Sequence, residues 1–523
     1  MYTPIEKLFE TANYITDQGE KDLILKAYEI GKRVHSDQLR KSGEPYFNHC
    51  VATAINIAGQ SMDYETICAG LLHDSLEDTD YKEDDMRKDF GETITRLVQG
   101  VTKLGHVKYS GAERHVESLR KFFIAMSDDI RVVIIKLCDR LHNMRTLDHV
   151  RPDKQKRIAL ETLEIHARLA DRLGMGRLKA QLEDCAFPYV YPEEYARVKN
   201  LLSSATNNSE KTLKEVADNL KEELNILDVH IESVDSRVKH LYSLWQKLKK
   251  NDYDMSKIYD VIALRIIVPN VSDCYLALGV IHGLYRPIPG RFKDYIAVPK
   301  PNGYKSLHTA IFTGTGDLVE VQIRTREMHE EAEYGVASHL SYKEQGKENI
   351  SNKISKKTKW TADLLAWQKE TEKESKDKDD NKISNDIGKE SSKKVGKKSD
   401  SKSDSKSHEK FMAHLKEDFF NHRVFVFTPK GDVIDLPEGS TPLDFAYQVH
   451  SDIGDHALRA YASAKLVPFD YILKNHDRVR IETSEHAKPN RKWINICKTQ
   501  LAKRHVRSWI KNHGGIIDKF LVK

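Results

Sequence analysis

The chain has 523 residues, of which 39% are hydrophobic and 31% are charged, and its formal net charge is +5. This length predicts three or four domains, each able to bury a core, and the small net charge does not by itself indicate a nucleic-acid-binding protein. Six cysteines without paired spacing argue against a zinc site and against a disulfide framework. The sequence shows neither a secretory leader nor a run of ~20 apolar residues, so we expect a cytoplasmic protein.

Residues 1–195 are predicted to be helical throughout, because apolar residues recur at three- and four-residue spacing. Prolines 188 and 192 are predicted to mark the end of this domain, and a polar helical connector is predicted at residues 196–228. From residue 229 onward, short β-rich runs at 259–268, 295–298 and 318–323 alternate with helices. This change of period predicts an α/β domain over residues 229–368, ending in a small amphipathic helix at 360–368.

The remaining third of the chain begins with a strongly polar segment. Residues 369–410 contain no aromatic residue and are rich in Lys, Asp, Ser and Glu, which predicts a disordered linker. A compact β-rich module is predicted at residues 420–484. A basic helical tail is predicted at residues 485–523.

The first acidic centre lies in the predicted helical domain and consists of His49, the block at residues 73–79 and Asp139. On a helix, residues 73, 74, 77 and 78 share one face, and so do Asp139 and Asn143. Imidazole and carboxylate ligands suit Mn²⁺, Zn²⁺ or Fe²⁺, which lower the pKa of a bound water molecule. An isolated His-Asp pair is more often a surface patch. Here, however, a run of Leu, Ile and Val carries Asp139 toward a core, where a buried acid needs a partner.

The order His, His-Asp, Asp resembles the HD phosphohydrolase superfamily. Together with residues 40–46 and 139–146, it is similar to the hydrolase domain of the RelA/SpoT homologue family, which removes the 3′-pyrophosphate from the alarmones ppGpp and pppGpp. Cys50 stands where that family usually has proline, but this departure removes no ligand. The resemblance implies Mn²⁺ ligands at His49, His73, Asp74 and Asp139, catalytic acids at Glu77 and Asp78, a catalytic residue at Asn143 that also contacts the nucleotide, and further nucleotide contacts at Thr146, Arg40, Lys41 and Ser42.

The second acidic centre lies in the predicted α/β domain and pairs Asp260 with Glu320. Residues 318–324 alternate strictly between apolar and polar, so Glu320 is predicted on the polar face of a strand. Two carboxylates on neighbouring strands can hold Mg²⁺ against a nucleoside triphosphate. A single glutamate on such a strand is usually solvated. The interpretation as an ordinary solvated strand is weaker here, because the sequence also contains a glycine turn at 302–309 and cations at Arg237, Lys239, Lys247, Arg291 and Lys293.

This array resembles the synthetase domain of the same family, a relative of the polymerase-β nucleotidyltransferases. The implied reaction transfers pyrophosphate from ATP to the 3′-hydroxyl of GDP or GTP. The basic block at residues 291–294 is typical of bifunctional members, whereas Lys305 stands where glutamine is common. The resemblance implies Asp260 as a Mg²⁺ ligand, Glu320 as second Mg²⁺ ligand or base, phosphate contacts at Arg237, Lys239, Ser243, Lys247 and His308, basic contacts at Arg291 and Lys293, and stacking of Tyr304 on the acceptor guanine.

Residues 423–483 resemble a TGS domain, a small β-grasp module, through the segments at 431–432, 436–439, 444–447 and 450–454. In the family this module reads the 3′ end of uncharged tRNA on the ribosome, and the resemblance implies His450 at that contact. The basic tail carries Trp493 and Trp509 and fits an RNA contact, but it fits an ordinary solvated helix equally well. Full-length members continue with further regulatory domains, which leaves ribosome-dependent control open.

The sequence therefore predicts a multidomain protein with an all-α HD-type hydrolase domain, an α/β nucleotidyltransferase-like synthetase domain and a small β-grasp TGS domain. We expect ATP, GDP or GTP, and (p)ppGpp as ligands, Mn²⁺ and Mg²⁺ as cofactors, uncharged tRNA and the ribosome as partners of the TGS domain, and no membrane association. One alternative is a hydrolase with a nucleotide-sensing pseudo-synthetase domain, which the intact Asp260, Glu320 and Tyr304 argue against. The other is an RNA-binding stress sensor, which two complete sets of metal carboxylates argue against.

Overall fold

The computed structural model describes residues 3–105, 125, 128–227, 229–258, 260–300, 302–313, 318–341 and 423–513. These residues belong to two compact units, one described up to residue 341 and the other over residues 423–513. The amphipathic helix predicted at 360–368 and the linker predicted at 369–410 lie outside the described residues. No helix in the described part of the chain combines the length and the apolar character that a membrane span requires.

The N-terminal part of the first unit is built from helices, as the sequence predicts. In chain order they are α1 (Pro4–Thr11), α2 (Gln18–Val34), α3 (Phe47–Ala58), α4 (Tyr64–Leu72), α5 (Ser75–Asp78), α6 (Glu83–Gly105), α7 (Ile130–Arg145), α8 (Pro152–Glu161), α9 (Ala167–Arg172), α10 (Gly176–Val190) and α11 (Pro192–Ile226). The side chains of Asp17, Asp63 and Asp129 accept backbone N–H hydrogen bonds at the starts of α2, α4 and α7. Helices α3, α4 and α7 pack on one another and bury residues such as Ile57 and Leu71.

Two details of this region differ from prediction. Pro188 lies inside α10, which continues to Val190, so this proline does not end the helical part. Pro192 is the first residue of α11, where the missing N–H of proline costs no helical hydrogen bond. The predicted connector is therefore one long helix, and its buried residues Val216 and Leu220 belong to the core of the neighbouring sheet.

The rest of the first unit is a mixed five-stranded sheet with helices. Its elements are β1 (Ser233–Val238), α12 (Leu241–Lys250), β2 (Ile262–Val268), α13 (Val271–Leu284), β3 (Lys293–Asp294), β4 (Leu307–Phe312), β5 (Leu318–Thr325), α14 (Arg326–Tyr334) and α15 (Val336–Ser341). The strand order is β1-β2-β5-β4-β3, in which only the β2 and β5 neighbours are parallel. This register places Ala263 of β2 beside Glu320 of β5.

The strand predicted at residues 295–298 is wrong, because this segment is a turn. The Asp294 carboxylate accepts hydrogen bonds from the N–H groups of Ile296 and Ala297 at 3.0 and 2.8 Å, which closes the turn. Strands β1 and β4, which the sequence analysis does not single out, complete the sheet on either side of β2 and β5.

The helical part and the sheet part of the first unit contact each other through backbone atoms near Gly335. Gly335 links α14 to α15 with a φ of +60°, and the Val336 N–H donates to the Leu173 carbonyl at 3.0 Å. A Cβ atom on Gly335 would lie 2.2 Å from that carbonyl oxygen. Only glycine therefore permits this approach.

The second unit contains two small sheets and four helices among its described residues. Its elements are β6 (Arg423–Phe427), β7 (Val433–Pro437), α16 (Pro442–Val449), α17 (Ser451–Asp455), β8 (Ala457–Ala462), β9 (Lys465–Val467), β10 (Val479–Thr483), α18 (Arg491–Ile496) and α19 (Gln500–His513). Strands β6 and β7 pair with each other, and β8 lies between β10 and β9. The predicted β-rich character is confirmed, and the described part of the predicted tail contains the helices α18 and α19.

The tail helices share a core with the β-rich module. Leu443 and Tyr447 of α16 pack in one cluster with Trp493, Val506 and Ile510 of α18 and α19. One face of the tail is therefore buried, so the tail is more than a solvated basic helix.

A single carboxylate joins the two parts of this second unit. Asp444 is fully buried, and its Oδ2 accepts hydrogen bonds from the Thr441 N–H, the Thr441 hydroxyl and the Lys498 N–H at 2.8, 2.9 and 2.9 Å. Its Oδ1 accepts hydrogen bonds from the N–H and hydroxyl of Thr499 at 2.7 and 2.8 Å. Asp444 thus satisfies backbone donors at the start of α16 and before α19 at once.

Candidate functional site

The first acidic centre forms where several helices of the first unit meet. His49 lies in the first turn of α3, His73 and Asp74 form the junction between α4 and α5, and Asp139 lies in α7. The shared helical face considered for residues 73, 74, 77 and 78 is not formed, because the helix is interrupted at His73 and Asp74, where Asp74 has φ −99° and ψ −3°. The junction turns both side chains toward His49.

Three of these side chains could hold a cation. Ligand atoms of His49, His73 and Asp74 lie within 4.8 Å of one another. His49 Nε2 lies 3.7 Å from Asp74 Oδ2 and 3.2 Å from Asp139 Oδ1, and His73 Nε2 lies 3.1 Å from Asp74 Oδ2. The structure therefore brings three of the four predicted metal ligands together, and the fourth, Asp139, adjoins them through His49.

His73 provides the test of whether a metal fits. Its Nδ1 lies 2.9 Å from the Gly70 carbonyl oxygen and must carry a proton to donate there. Its Nε2 is buried, and although Asp74 Oδ2 lies 3.1 Å away, the two atoms do not meet in hydrogen-bond geometry. Burial opposes the charged form, but the Asp74 carboxylate raises the pKa of His73, so without a cation Nε2 is protonated beside that carboxylate. A divalent cation can take the place of this proton, because the Nδ1 hydrogen bond already orients Nε2 toward the carboxylates.

Charged neighbours keep the deepest carboxylate ionised. Asn143 Nδ2 donates to Asp139 Oδ1 at 2.5 Å, and Lys136 Nζ lies 2.8 Å from Asp139 Oδ2. Burial opposes ionisation, but Lys136 and His49 hold the pKa of Asp139 well below its usual value. Burial also lowers the pKa of His49. The centre thus presents a carboxylate and a neutral imidazole, the forms that bind metals.

Three of the predicted nucleotide contacts also come together beside these ligands. The Arg40 guanidinium donates to Asn143 Oδ1 at 2.7 Å and to Thr146 Oγ1 at 3.3 Å. Lys41 and Ser42 follow in the tight turn that the Gly43 N–H closes by donating to the Arg40 carbonyl at 2.9 Å. These side chains could form one wall of a nucleotide site.

The two predicted catalytic acids are exposed at the end of α5. Glu77 and Asp78 both lie in its single turn, and their N–H groups bond to the Asp74 carbonyl at 3.2 and 2.9 Å. An exposed carboxylate next to metal ligands can exchange protons with solvent.

Sequence reasoning missed three residues of this centre. The Tyr46 hydroxyl donates to Asp74 Oδ2 at 2.7 Å and lies 3.2 Å from Asp78 Oδ2, and burial with the Asp74 charge raises the pKa of Tyr46. His142 Nδ1 lies 2.7 Å from His49 Nδ1, and burial lowers the pKa of His142 to about 3. Helical spacing could have found them, because Tyr46 precedes His49 by three residues. Lys136 and His142 likewise lie three residues on either side of Asp139.

The second acidic centre lies at one end of the parallel strand pair. Asp260 stands two residues before β2, and Glu320 lies on the adjacent strand β5. Asp260 Oδ2 accepts hydrogen bonds from Lys239 Nζ at 2.6 Å and from Lys247 Nζ. Burial opposes ionisation, but Lys239 and Lys247 lower the pKa of Asp260 to about 2, and burial lowers the pKa of Lys239 to about 8.

Glu320 belongs to a chain of hydrogen bonds along the sheet. Its Oε1 lies 2.9 Å from His308 Nδ1 and accepts a hydrogen bond from Gln322 Nε2 at 2.9 Å. The Tyr304 hydroxyl lies 2.8 Å from His308 Nε2. Burial opposes ionisation, yet His308 holds the pKa of Glu320 below its usual value, so the carboxylate is charged. The carboxylates of Asp260 and Glu320, which form the second acidic centre, are the ligand type that suits Mg²⁺.

The other predicted cations lie around these carboxylates. Arg237 of β1 donates to the Gln322 side chain at 3.3 Å, and Lys293 of β3 pairs with His308 of β4. Ser243 lies one helical turn before Lys247 on α12. Arg291 is exposed and precedes β3 by two residues.

His450 lies on the surface of the second unit between α16 and α17. Its Nδ1 accepts a hydrogen bond from the Asp452 N–H at 3.2 Å. The ring proton therefore sits on Nε2, where the neutral imidazole offers a donor.

Comparison with known protein families agrees with this division of chemistry. A family model described as "HD domain" matches residues 27–176. A second model, described as "Region found in RelA / SpoT proteins", matches residues 236–347, and a third, "TGS domain", matches residues 424–483. HD hydrolases and RelA/SpoT synthetases both depend on divalent metals.

Individual proteins are similar over most of the chain. A "GTP pyrophosphokinase" from Myxococcus xanthus is 42% identical over 94% of this chain, which spans 60% of the relative's length. A "Bifunctional (p)ppGpp synthase/hydrolase SpoT" from Escherichia coli is 38% identical over 97% of this chain and 68% of its own length. The structure of small alarmone synthetase 1 from Bacillus subtilis with pppGpp is 24% identical with a TM-score of 0.22, covering 32% of this chain and 94% of that one. The identity to full-length relatives shows that the chain belongs to the RelA/SpoT family.

Proposed function

We propose that the chain is a bifunctional alarmone enzyme of the stringent response. It transfers pyrophosphate from ATP to the 3′-hydroxyl of GDP or GTP, and it hydrolyses the 3′-pyrophosphate of (p)ppGpp. The observation that carries this proposal is that one chain holds two acidic centres, each with its predicted carboxylates beside predicted phosphate or nucleotide contacts. The Myxococcus relative is named as a pyrophosphokinase and the Escherichia coli relative as a synthase/hydrolase, and these names support both activities.

The first acidic centre performs the hydrolysis. When bound, Mn²⁺ offsets phosphate charge and lowers the pKa of water. The water oxygen bonds to the phosphorus that is attached to the 3′ oxygen, and the bond from that phosphorus to the 3′ oxygen breaks. Pyrophosphate is released, and the 3′ oxygen takes up a proton. Glu77 and Asp78 move that proton between water and the leaving oxygen. The ion is held by His49, His73, Asp74 and Asp139, and the nucleotide by Arg40, Lys41, Ser42, Asn143 and Thr146.

The second acidic centre performs the transfer. The 3′ oxygen of the acceptor bonds to the β-phosphorus of ATP, the bond from that phosphorus to the α–β bridging oxygen breaks, and AMP leaves. Glu320, ionised and held by His308, accepts the hydroxyl proton or binds Mg²⁺, and Asp260 binds Mg²⁺. Tyr304 stacks on the acceptor guanine. Phosphate oxygens are bound by Arg237, Lys239, Ser243, Lys247, Arg291, Lys293 and His308.

The second unit serves recognition. We assign His450 to contact with the 3′ end of uncharged tRNA on the ribosome, because its exposed Nε2–H can donate to a phosphate or hydroxyl oxygen. The basic residues of α18 and α19 add charge to the same unit. The assignment of uncharged tRNA and the ribosome as partners is part of the proposal. The domain boundaries predicted from the sequence and a cytoplasmic location are also part of it.

The deciding experiment is label transfer from γ-³²P-ATP to GDP or GTP in protein that carries Asp74→Ala, so that the product survives. We expect a guanosine 3′-diphosphate product with Mg²⁺, and none after the further substitution Asp260→Ala. Restoring Asp74 and adding Mn²⁺ should then release labelled pyrophosphate. Absence of product, even with ribosomes and uncharged tRNA, would contradict the transfer activity and leave a hydrolase or a sensor.

A further inference from the structure

We infer that His142 is a positioning residue for the first acidic centre. It accepts the Nδ1 proton of His49 and thereby fixes the tautomer in which His49 Nε2 can bind a metal. This inference rests on the metal assignment in the proposed function and deepens it by one residue, to which the sequence analysis gave no role.

The imidazole rings of His49 and His142 are close enough to share a hydrogen bond. His49 Nδ1 and His142 Nδ1 are 2.7 Å apart, and the ring centroids are 5.0 Å apart with an angle of 37° between the planes. Two ring nitrogens at this distance share one proton, so one donates and the other accepts. The contact alone leaves the direction of donation open.

Arg40 decides the direction. Its NH1 group lies 3.4 Å from the same His142 Nδ1, and a guanidinium offers only donors. His142 Nδ1 must therefore be an acceptor, and the proton between the two rings belongs to His49 Nδ1. In a neutral His49 the other nitrogen, Nε2, then carries a lone pair. It lies 3.2 Å from Asp139 Oδ1 and 3.7 Å from Asp74 Oδ2, which offer only acceptors, so this tautomer requires a cation between Nε2 and the carboxylates.

The other histidine ligand, His73, also has its Nδ1 proton fixed by a hydrogen-bond acceptor, but this acceptor is a backbone atom. His73 donates its Nδ1 proton to the Gly70 carbonyl at 2.9 Å, a backbone atom that no substitution removes. His49 instead depends on a side chain, which in turn contacts Arg40. A chain of contacts, Arg40 to His142 to His49, thus joins a proposed nucleotide contact to a proposed metal ligand.

Because His49 is buried, loss of its contact with His142 should affect metal binding. The side chain of His49 is only 2% exposed, so water cannot easily replace a lost partner. Without an acceptor at position 142, the His49 ring keeps an unpaired buried N–H or changes tautomer and turns an N–H toward the metal position. Either outcome weakens metal binding.

The test measures Mn²⁺ affinity of the full chain without nucleotide, by titration with electron paramagnetic resonance of free Mn²⁺. We expect His142→Phe to weaken binding about 10- to 100-fold, as for other partners of metal-bound histidines. His142→Asn should bind within about threefold of the parent, because the asparagine oxygen can take the place of Nδ1. His149→Phe, an exposed histidine after α7, is the matched control and should change nothing.

Unchanged affinity in His142→Phe would overturn the inference, and so would equal losses in the phenylalanine and asparagine variants. If His142→Phe does not fold, His142→Gln replaces it, since the glutamine oxygen reaches the Nε2 position instead. Glutamine should then bind as weakly as expected for phenylalanine, and parental affinity would refute the idea. A parent chain that binds no Mn²⁺ refutes the metal assignment of the proposed function and the inference with it, whereas parental binding with an unaffected variant refutes the inference alone.

Discussion

Replacing Asp444 by asparagine should loosen the C-terminal helices from the rest of the second unit. The carboxylate accepts five hydrogen bonds, three of them from backbone N–H groups of Thr441, Lys498 and Thr499. An asparagine keeps one acceptor oxygen and turns an amide N–H₂ toward the donors on the other side. The best placement puts the amide beside Thr499, whose hydroxyl can rotate to accept but whose N–H loses its partner.

The cost follows from this count. One buried N–H without an acceptor costs about 1–3 kcal/mol, and the remaining hydrogen bonds lose the contribution of a charged acceptor. We therefore expect a loss of about 2–4 kcal/mol in the free energy that holds α18 and α19 in place, which corresponds to roughly 30- to 1000-fold faster opening.

Hydrogen exchange of the full chain measures this directly, through amides in residues 491–513. Asp470→Asn, at an exposed aspartate of the same unit, is the matched control and should leave exchange unchanged. Equal protection of residues 491–513 in the Asp444→Asn protein and its parent would refute the reasoning, because the hydrogen bonds would then carry no net stability.

Three further predictions follow from the first unit. The pKa of Lys239 is lowered by burial to about 8, so the side chain is charged below that pH and neutral above it. The kcat/KM for ATP should therefore fall about tenfold per pH unit above about 8, a limit that Lys239→Arg should move upward in a pH profile. Tyr46→Phe removes a hydrogen bond to Asp74 and should weaken Mn²⁺ binding about tenfold in a metal titration, while label transfer from ATP stays unchanged. Asp184→Ala removes the acceptor for the Tyr242 N–H at the start of α12 and should cost about 1 kcal/mol, seen as about fivefold faster exchange in residues 241–250.

Local patterns predicted most of the secondary structure. Strict alternation over residues 318–324 placed Glu320 on the polar face of a strand, and helical spacing placed Asp139 and Asn143 one turn apart, where they bond to each other. Such features depend on neighbours in the sequence, so the sequence is enough to predict them. The turn at residues 295–298 was missed because its cause is one side chain, Asp294, and not a periodic pattern.

Contacts between distant residues could not be predicted in the same way. Arg40 and Asn143 are 103 positions apart, and nothing local in either segment indicates that the guanidinium reaches the amide. The role of His142 depends on a ring in another helix, and the buried face of the tail depends on α16. The resemblance to a family supplied the membership of each site, whereas the direction of each hydrogen bond required the structure.

The contact between Gly335 and Leu173 has a consequence for how natural variation should be interpreted. Any other residue at 335 would bring a carbon atom to 2.2 Å from a carbonyl oxygen and would push the helical part and the sheet part of the first unit apart. Selection should therefore remove variants at this position although Gly335 belongs to neither acidic centre. An invariant glycine here among related sequences would record a packing requirement, and it should not be mistaken for a residue that binds substrate.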